Sequence, residues 1–166
     1  MITLGIDPGT ALLGFGVIES DGDPRMIDYG AIATHPDREM PDRLNELFEA
    51  MTSLLHDHRP DVLAVEKLFF ARNVTTAIAV GQARGVVLLA AARSQVAVVE
   101  YSPSEVKHAV AGYGKADKAQ MQEMVRIILN LDHVPDPDDA ADALAVALCH
   151  SQRASFIAHT TAQEDR

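Results

Sequence analysis

The order of extended and helical segments limits this chain more than any other feature. Residues 2–6 form a mostly apolar run that stops at Asp7 and meets the turn residues Pro8, Gly9 and Thr10. The run resumes over 12–18, where Gly14 and Gly16 alternate with Leu13, Phe15 and Val17. Asp21, Gly22, Asp23 and Pro24 turn the chain again, and 26–34 reads as a third strand. Three strands joined by such short turns predict an antiparallel meander. Leu44, Leu47, Phe48, Met51, Leu54 and Leu55 then recur at helical spacing over about 40–56, and Pro60 ends that helix. A short buried strand over 62–65 ends at Glu66, a helix apolar nearly all round spans about 74–93, and 96–100 forms a further strand.

Helices follow to the end of the fold. Ser102, Pro103, Ser104 and Glu105 open one with a cap and a proline in its first turn. Met121, Met124, Val125 and Ile128 mark the apolar face of the next, over 117–130. The last begins at Asp136-Pro137, with Asp136 as N-cap and Pro137 at the first helical position, and runs to about His150. The order β-β-β-α-β-α-β, then helices, predicts an α/β fold. Its five-stranded mixed sheet joins an antiparallel meander to βαβ units, with helices on both faces. One domain is expected over 1–152, followed by a polar, flexible tail over 153–166.

Composition narrows the function classes. With Cys149 the single cysteine, no internal disulfide framework forms. The N-terminus lacks the basic and long apolar regions of a secretion signal. Gln82 and Arg84 interrupt the longest apolar stretch, so it does not suit a bilayer, and a soluble cytoplasmic protein is expected. The formal net charge of −10 argues against a nucleic-acid partner at first sight. The charge is uneven: between Glu66 and Arg126 stand eight basic residues against five acids, which makes that segment +3 and the remainder −13.

The acids themselves fall in a pattern. Asp7 ends the first strand and Glu66 the fourth; if those strands lie parallel and adjacent, their ends meet where ligands bind in such sheets. An aspartate before Pro-Gly also serves as a turn residue, so Asp7 alone is equally well read that way. Glu66 is harder to set aside, because a carboxylate after Leu63-Ala64-Val65 costs free energy unless paired with a base or bound to metal. Asp138 and Asp139 suit the first turn of a helix, but Asp142 lies beyond it. Asp139 and Asp142 share one helix face, and Ala140, Ala141 and Ala143 let that face approach the sheet. Carboxylates gathered this way suit Mg²⁺, and two such ions about 3.5–4 Å apart activate water and stabilise a leaving oxygen in phosphodiester hydrolysis.

Five motifs in order make the pattern specific: Gly5 to Gly9 followed by Gly14-Phe15-Gly16; Val65-Glu66 with Phe69-Phe70; Gly81 to Gly85; and Asp139-Ala140-Ala141-Asp142 leading into Ala143-Leu144-Ala145. Together, over residues 1 to about 150, they resemble the RuvC family, RNase H-like nucleases that resolve Holliday (four-way) DNA junctions. The resemblance implies that Asp7, Glu66, Asp139 and Asp142 are catalytic carboxylates holding Mg²⁺ (or Mn²⁺), two ions per site, with Asp7 bridging them. Asp139 is the less strictly acidic of these positions, since some relatives carry histidine there. The resemblance also implies DNA contacts from Phe69, Arg84, Lys107 and Lys118, with Phe69 placed to stack on an unpaired base. It implies a homodimer as well, which the small and apolar residues around the 74–93 helix would permit, and a partnership with the RuvA–RuvB branch-migration complex. Asp138 has no counterpart among the motifs and is read as a helix-start acid.

Two other classes share part of this pattern. Asp7-Pro8-Gly9-Thr10 also fits the first phosphate loop of ATP-using folds of the actin and sugar-kinase type, but those need a second domain and a second glycine-rich loop. A non-catalytic junction binder of the same fold would have no reason to keep all four carboxylates.

Overall fold

The computed structural model describes residues 1–67 and 74–164. Phe69, expected at the DNA, lies outside them. Strands β1 (Ile2–Asp7), β2 (Leu12–Ser20) and β3 (Pro24–Ala33) form the meander. Helix α1 (Met40–His58) leads to β4 (Val62–Glu66), and α2 (Val74–Arg93) to β5 (Ala97–Tyr101). Helices α3 (Pro103–Ala111), α4 (Lys118–Ile128) and α5 (Asp138–Glu164) follow. The sheet order is β3-β2-β1-β4-β5; β1 pairs antiparallel with β2 and parallel with β4, and β4 pairs parallel with β5. This is the mixed sheet that the segment order predicts.

Alternation along the central strands sends side chains to two separate cores. Leu4, Ile6, Leu63 and Val65 point to one face and pack with Leu47, Met51 and Leu55 of α1 and Ala83, Val87 and Ala90 of α2. Each fully buried aliphatic side chain of this kind contributes about 1.5–3 kcal/mol. Gly5, Asp7, Ala64 and Glu66 belong to the opposite face, which α5 covers, with α3 and α4 packed against α5 in turn. There the contact is backbone to backbone. A Cβ on Gly5 would stand 2.1 Å from the Ala143 carbonyl oxygen, and one on Gly14 would stand 2.0 Å from that of Asp139. Glycine at these two places lets α5 lie directly on the sheet.

The last helix differs from expectation at both ends. The Pro137 carbonyl accepts from the backbone N–H of Ala140 (2.9 Å) and Ala141 (3.3 Å), so the helix starts at Asp138 and Asp136 is not its N-cap. It also continues past His150 to Glu164. On α2, Ala83, Val87, Ala90 and Ala91 are buried, while Ile78 and Leu89 are 59% and 53% exposed. The helix therefore has one stripe against the core and an apolar stripe facing outward. Among the described residues, no helix is long and apolar enough to cross a membrane.

Candidate active site

Sheet geometry brings the first two acids together. Ile6 of β1 pairs in register with Val65 of β4, so the next residues, Asp7 and Glu66, end neighbouring parallel strands on the α5 face. Asp7 also pairs with Gly14 across β2, and Gly14 is the residue on which the Asp139 backbone rests. The close approach of α5 thus sets its first turn over the end of β1. Asp142, one turn further on, lines a cavity of about 230 Å³ with Asp7 and Glu66. Lys107 of α3 and Lys118 of α4 border the same cavity, and Val106, Met121, Ala145 and Val146 form its apolar wall. Asp139 faces the neighbouring depression, with Gly9, Thr10, Leu12, Ala79 and Val80.

The electrostatics show what this crowding costs. Asp7 is raised from 3.8 to about 7, first by burial, then by Asp142, Asp139 and Glu66, while Lys118 opposes the rise. Burial followed by Asp142 pushes Glu66 up too, against a pull downward from Lys107. Asp142 is raised chiefly by burial, with Lys118 holding it down. Asp139 therefore acts on Asp7 through its charge although it does not line the cavity. Carboxylates that resist ionisation in a shared hollow become fully charged when a cation enters.

The donor set fits a divalent oxygen-seeking ion. Among the described residues, no three carboxylates are gathered closely enough to enclose a metal by themselves. Carboxylate oxygens suit a hard divalent ion, which keeps several waters and can take substrate oxygens as well.

The four basic and aromatic expectations fare differently. Lys107 stands on the rim, as just described. The Lys118 ammonium lies 2.9 Å from Asp138 Oδ2 and 3.5 Å from Asp142 Oδ2. Arg84 lies behind the site: its side chain is 12% exposed, Nη1 donates to the Glu66 carbonyl at 3.0 Å, and Nη2 pairs with Glu100 of β5. Its guanidinium ties α2 to the ends of β4 and β5. Phe69 is outside the described residues, as noted above.

Sequence reasoning missed Gln122, whose Nε2 donates to Asp138 Oδ1 at 2.7 Å, and missed Asp138 as its partner. The available signal was that Lys118 and Gln122 lie four residues apart and so share one face of α4. What that face meets could not be read from spacing.

Comparison with known proteins identifies the family. The family model described as "Crossover junction endodeoxyribonuclease RuvC" matches residues 3–150. The protein of that name from Brevibacillus brevis is 54% identical over 95% of this chain and 95% of its own length. The one from Chloroflexus aggregans is 56% identical over 95% and 96%. Among solved structures, Thermus thermophilus RuvC superposes with a TM-score of 0.88 at 39% identity, covering 94% of this chain and 96% of that one. The same protein in complex with Holliday junction substrate gives 0.87 at 37% identity, with the same coverage.

Proposed function

Because the chain belongs to the RuvC family of crossover junction endodeoxyribonucleases, we propose that its carboxylate cavity is where the family's reaction takes place. The fold is RNase H-like, and the enzyme hydrolyses phosphodiester bonds of DNA at Holliday junctions in recombination. Membership implies cleavage that depends on a divalent metal. The observation that carries the assignment to this cavity is the state of Asp7, held at about 7 by burial and by Asp142, Asp139 and Glu66. A fold retains such a charge conflict at little benefit to itself, and perturbed groups of this kind concentrate at functional sites.

In this reading Asp7, Glu66, Asp139 and Asp142 would hold two divalent ions, Mg²⁺ or Mn²⁺. Metal bound there supplies an activated water and charge for the leaving oxygen. The chain's own groups do the rest. The carboxylates fix where the scissile phosphate sits, and the apolar wall of Val106, Met121 and Val146 limits bulk water on one side. Lys107 and Lys118 offer positive charge to the DNA backbone at the rim. Phe69 stacks on a base near the junction centre. Arg84, with its donors on the Glu66 carbonyl and Glu100, supports the β4 end.

Two copies joined along the outward stripe of α2, around Ile78, Gly85 and Leu89, would set two cavities against the two strands of a symmetric junction, so that paired nicks follow from geometry. The protein would act in the cytoplasm alongside a RuvA–RuvB branch-migration complex. The test is cleavage of a labelled four-way junction and of linear duplex, each with Mg²⁺ and with EDTA. Paired nicks in the junction with Mg²⁺ are expected. Equal cutting of linear duplex, or nicking in EDTA, would overturn this reading, as would ATP hydrolysis with no nicking.

A further inference from the structure

Asp138 stands beside the proposed metal-holding acids but does not line their cavity, and its side chain is 61% exposed. It is nonetheless held in place. Gln122 Nε2 donates to Asp138 Oδ1 at 2.7 Å, which leaves Oδ2 for the Lys118 ammonium at 2.9 Å. The same ammonium is 3.5 Å from Asp142 Oδ2, inside the cavity. One cation is therefore shared between two carboxylates, with the closer contact on the outer one.

That sharing bears on metal entry. An ammonium and a divalent ion seek the same Asp142 oxygen, and they repel each other. Lysine carries its charge on a flexible four-carbon stem and so can move between neighbouring anions. A fixed carboxylate just outside the cavity gives it somewhere to go. We infer that Asp138, oriented by Gln122, is a positioning residue that draws the Lys118 ammonium away from Asp142 and thereby sets how readily the cavity takes a divalent cation. The inference rests on the assignment of the cavity as a metal site. Without Asp138, Lys118 settles on Asp142 and an incoming cation must displace it.

A double-mutant cycle tests this without using activity. Mn²⁺ binding to the full-length, DNA-free protein is followed by the electron paramagnetic resonance of free Mn²⁺. The proteins compared are the wild type, Asp138→Asn, Lys118→Ala and the double variant. Asp138→Asn is expected to raise the half-saturating Mn²⁺ concentration by about threefold to fivefold, as befits an exposed but well-oriented ion pair. Lys118→Ala should bind Mn²⁺ more tightly than the wild type. In the Lys118→Ala background, the Asp138 substitution should shift binding by less than about twofold, since only a screened surface charge is then lost. Equal weakening by Asp138→Asn in both backgrounds would mean that Asp138 acts through its own charge, which overturns the inference and leaves the metal site standing. No Mn²⁺ binding by the wild type would overturn both.

Discussion

The two faces of β1 do opposite work. Toward α1 and α2 the strand presents Leu4 and Ile6, which lock into an apolar core with Leu47, Met51 and Leu55. Toward α5 it presents Thr3, Gly5 and Asp7, and the helix backbone rests directly on Gly5. One face holds the sheet through side-chain volume, while the other spends its positions on closeness and charge. The lesson is that stability and chemistry are divided by the two-residue period of a single strand. Substitutions on the two faces should therefore fail in different ways.

The largest expected effect lies on the charged face. Asp7→Asn should lower junction nicking beyond about a thousandfold, because it removes a group proposed to hold the metal. Junction binding, measured by gel shift, should persist; its loss as well would make Asp7 a folding residue.

A matched pair sharpens the contrast. Leu63→Ala on the apolar face should cost about 2–5 kcal/mol in denaturant unfolding and leave nicking per folded molecule unchanged. Gly14→Val should cost about 1–3 kcal/mol, since its side chain meets the Asp139 carbonyl. Its nicking, however, should fall well out of proportion to its stability. Equal ratios of nicking to folded protein in the two variants would break the comparison.

A smaller effect follows from pH. In the unfolded chain Asp7 ionises near 3.8, and in the folded metal-free chain near 7. Between those values the folded state binds the extra proton, so the Asp7 contribution to stability falls as pH rises through that window and is level above it. In EDTA, Asp7→Asn should be more stable than the wild type at pH 8 by on the order of 2–4 kcal/mol, and nearly equal to it at pH 4. Mg²⁺ should narrow the gap at pH 8. A constant difference across the range, followed by thermal melts, would show that Asp7 is not the titrating group.

The smallest effect concerns the rim. Lys107→Ala should weaken junction binding by about threefold to tenfold and lower its salt dependence, with little change in stability. Full affinity at every salt concentration would remove Lys107 from the DNA-facing groups.

Most of the sheet was legible because short turns and alternation leave few ways to pair strands. Glu66 was legible because a carboxylate at the end of a buried strand has few places to go, whereas Asp7 alone read equally well as a turn residue and stood out only beside the other acids. Asp142 stood out because it lies past the first turn, where the helix dipole no longer accounts for it. The rest depends on how helices face one another. Helix α2 is apolar almost all round, so its pattern could not reveal that Arg84 turns inward to Glu66 and Glu100. The bond from Gln122 to Asp138 joins two helices whose contact no spacing encodes. Helix α5 was expected to stop near His150, yet alanine, glutamine and arginine are compatible with helix and it continues to Glu164.

The contacts of Gly5 and Gly14 with the α5 carbonyls have one more consequence. Where a helix is seated by its own main chain, the reference point for its acids is a surface that side-chain changes elsewhere do not reach, and only a Cβ added at those glycines would shift it. Drift in the hydrophobic residues of the opposite core can change how firmly the protein holds together without moving Asp139 and Asp142 relative to Asp7. The geometry of the carboxylate cluster is in this sense calibrated by the polypeptide backbone, and the two bare positions on the sheet are the gauge.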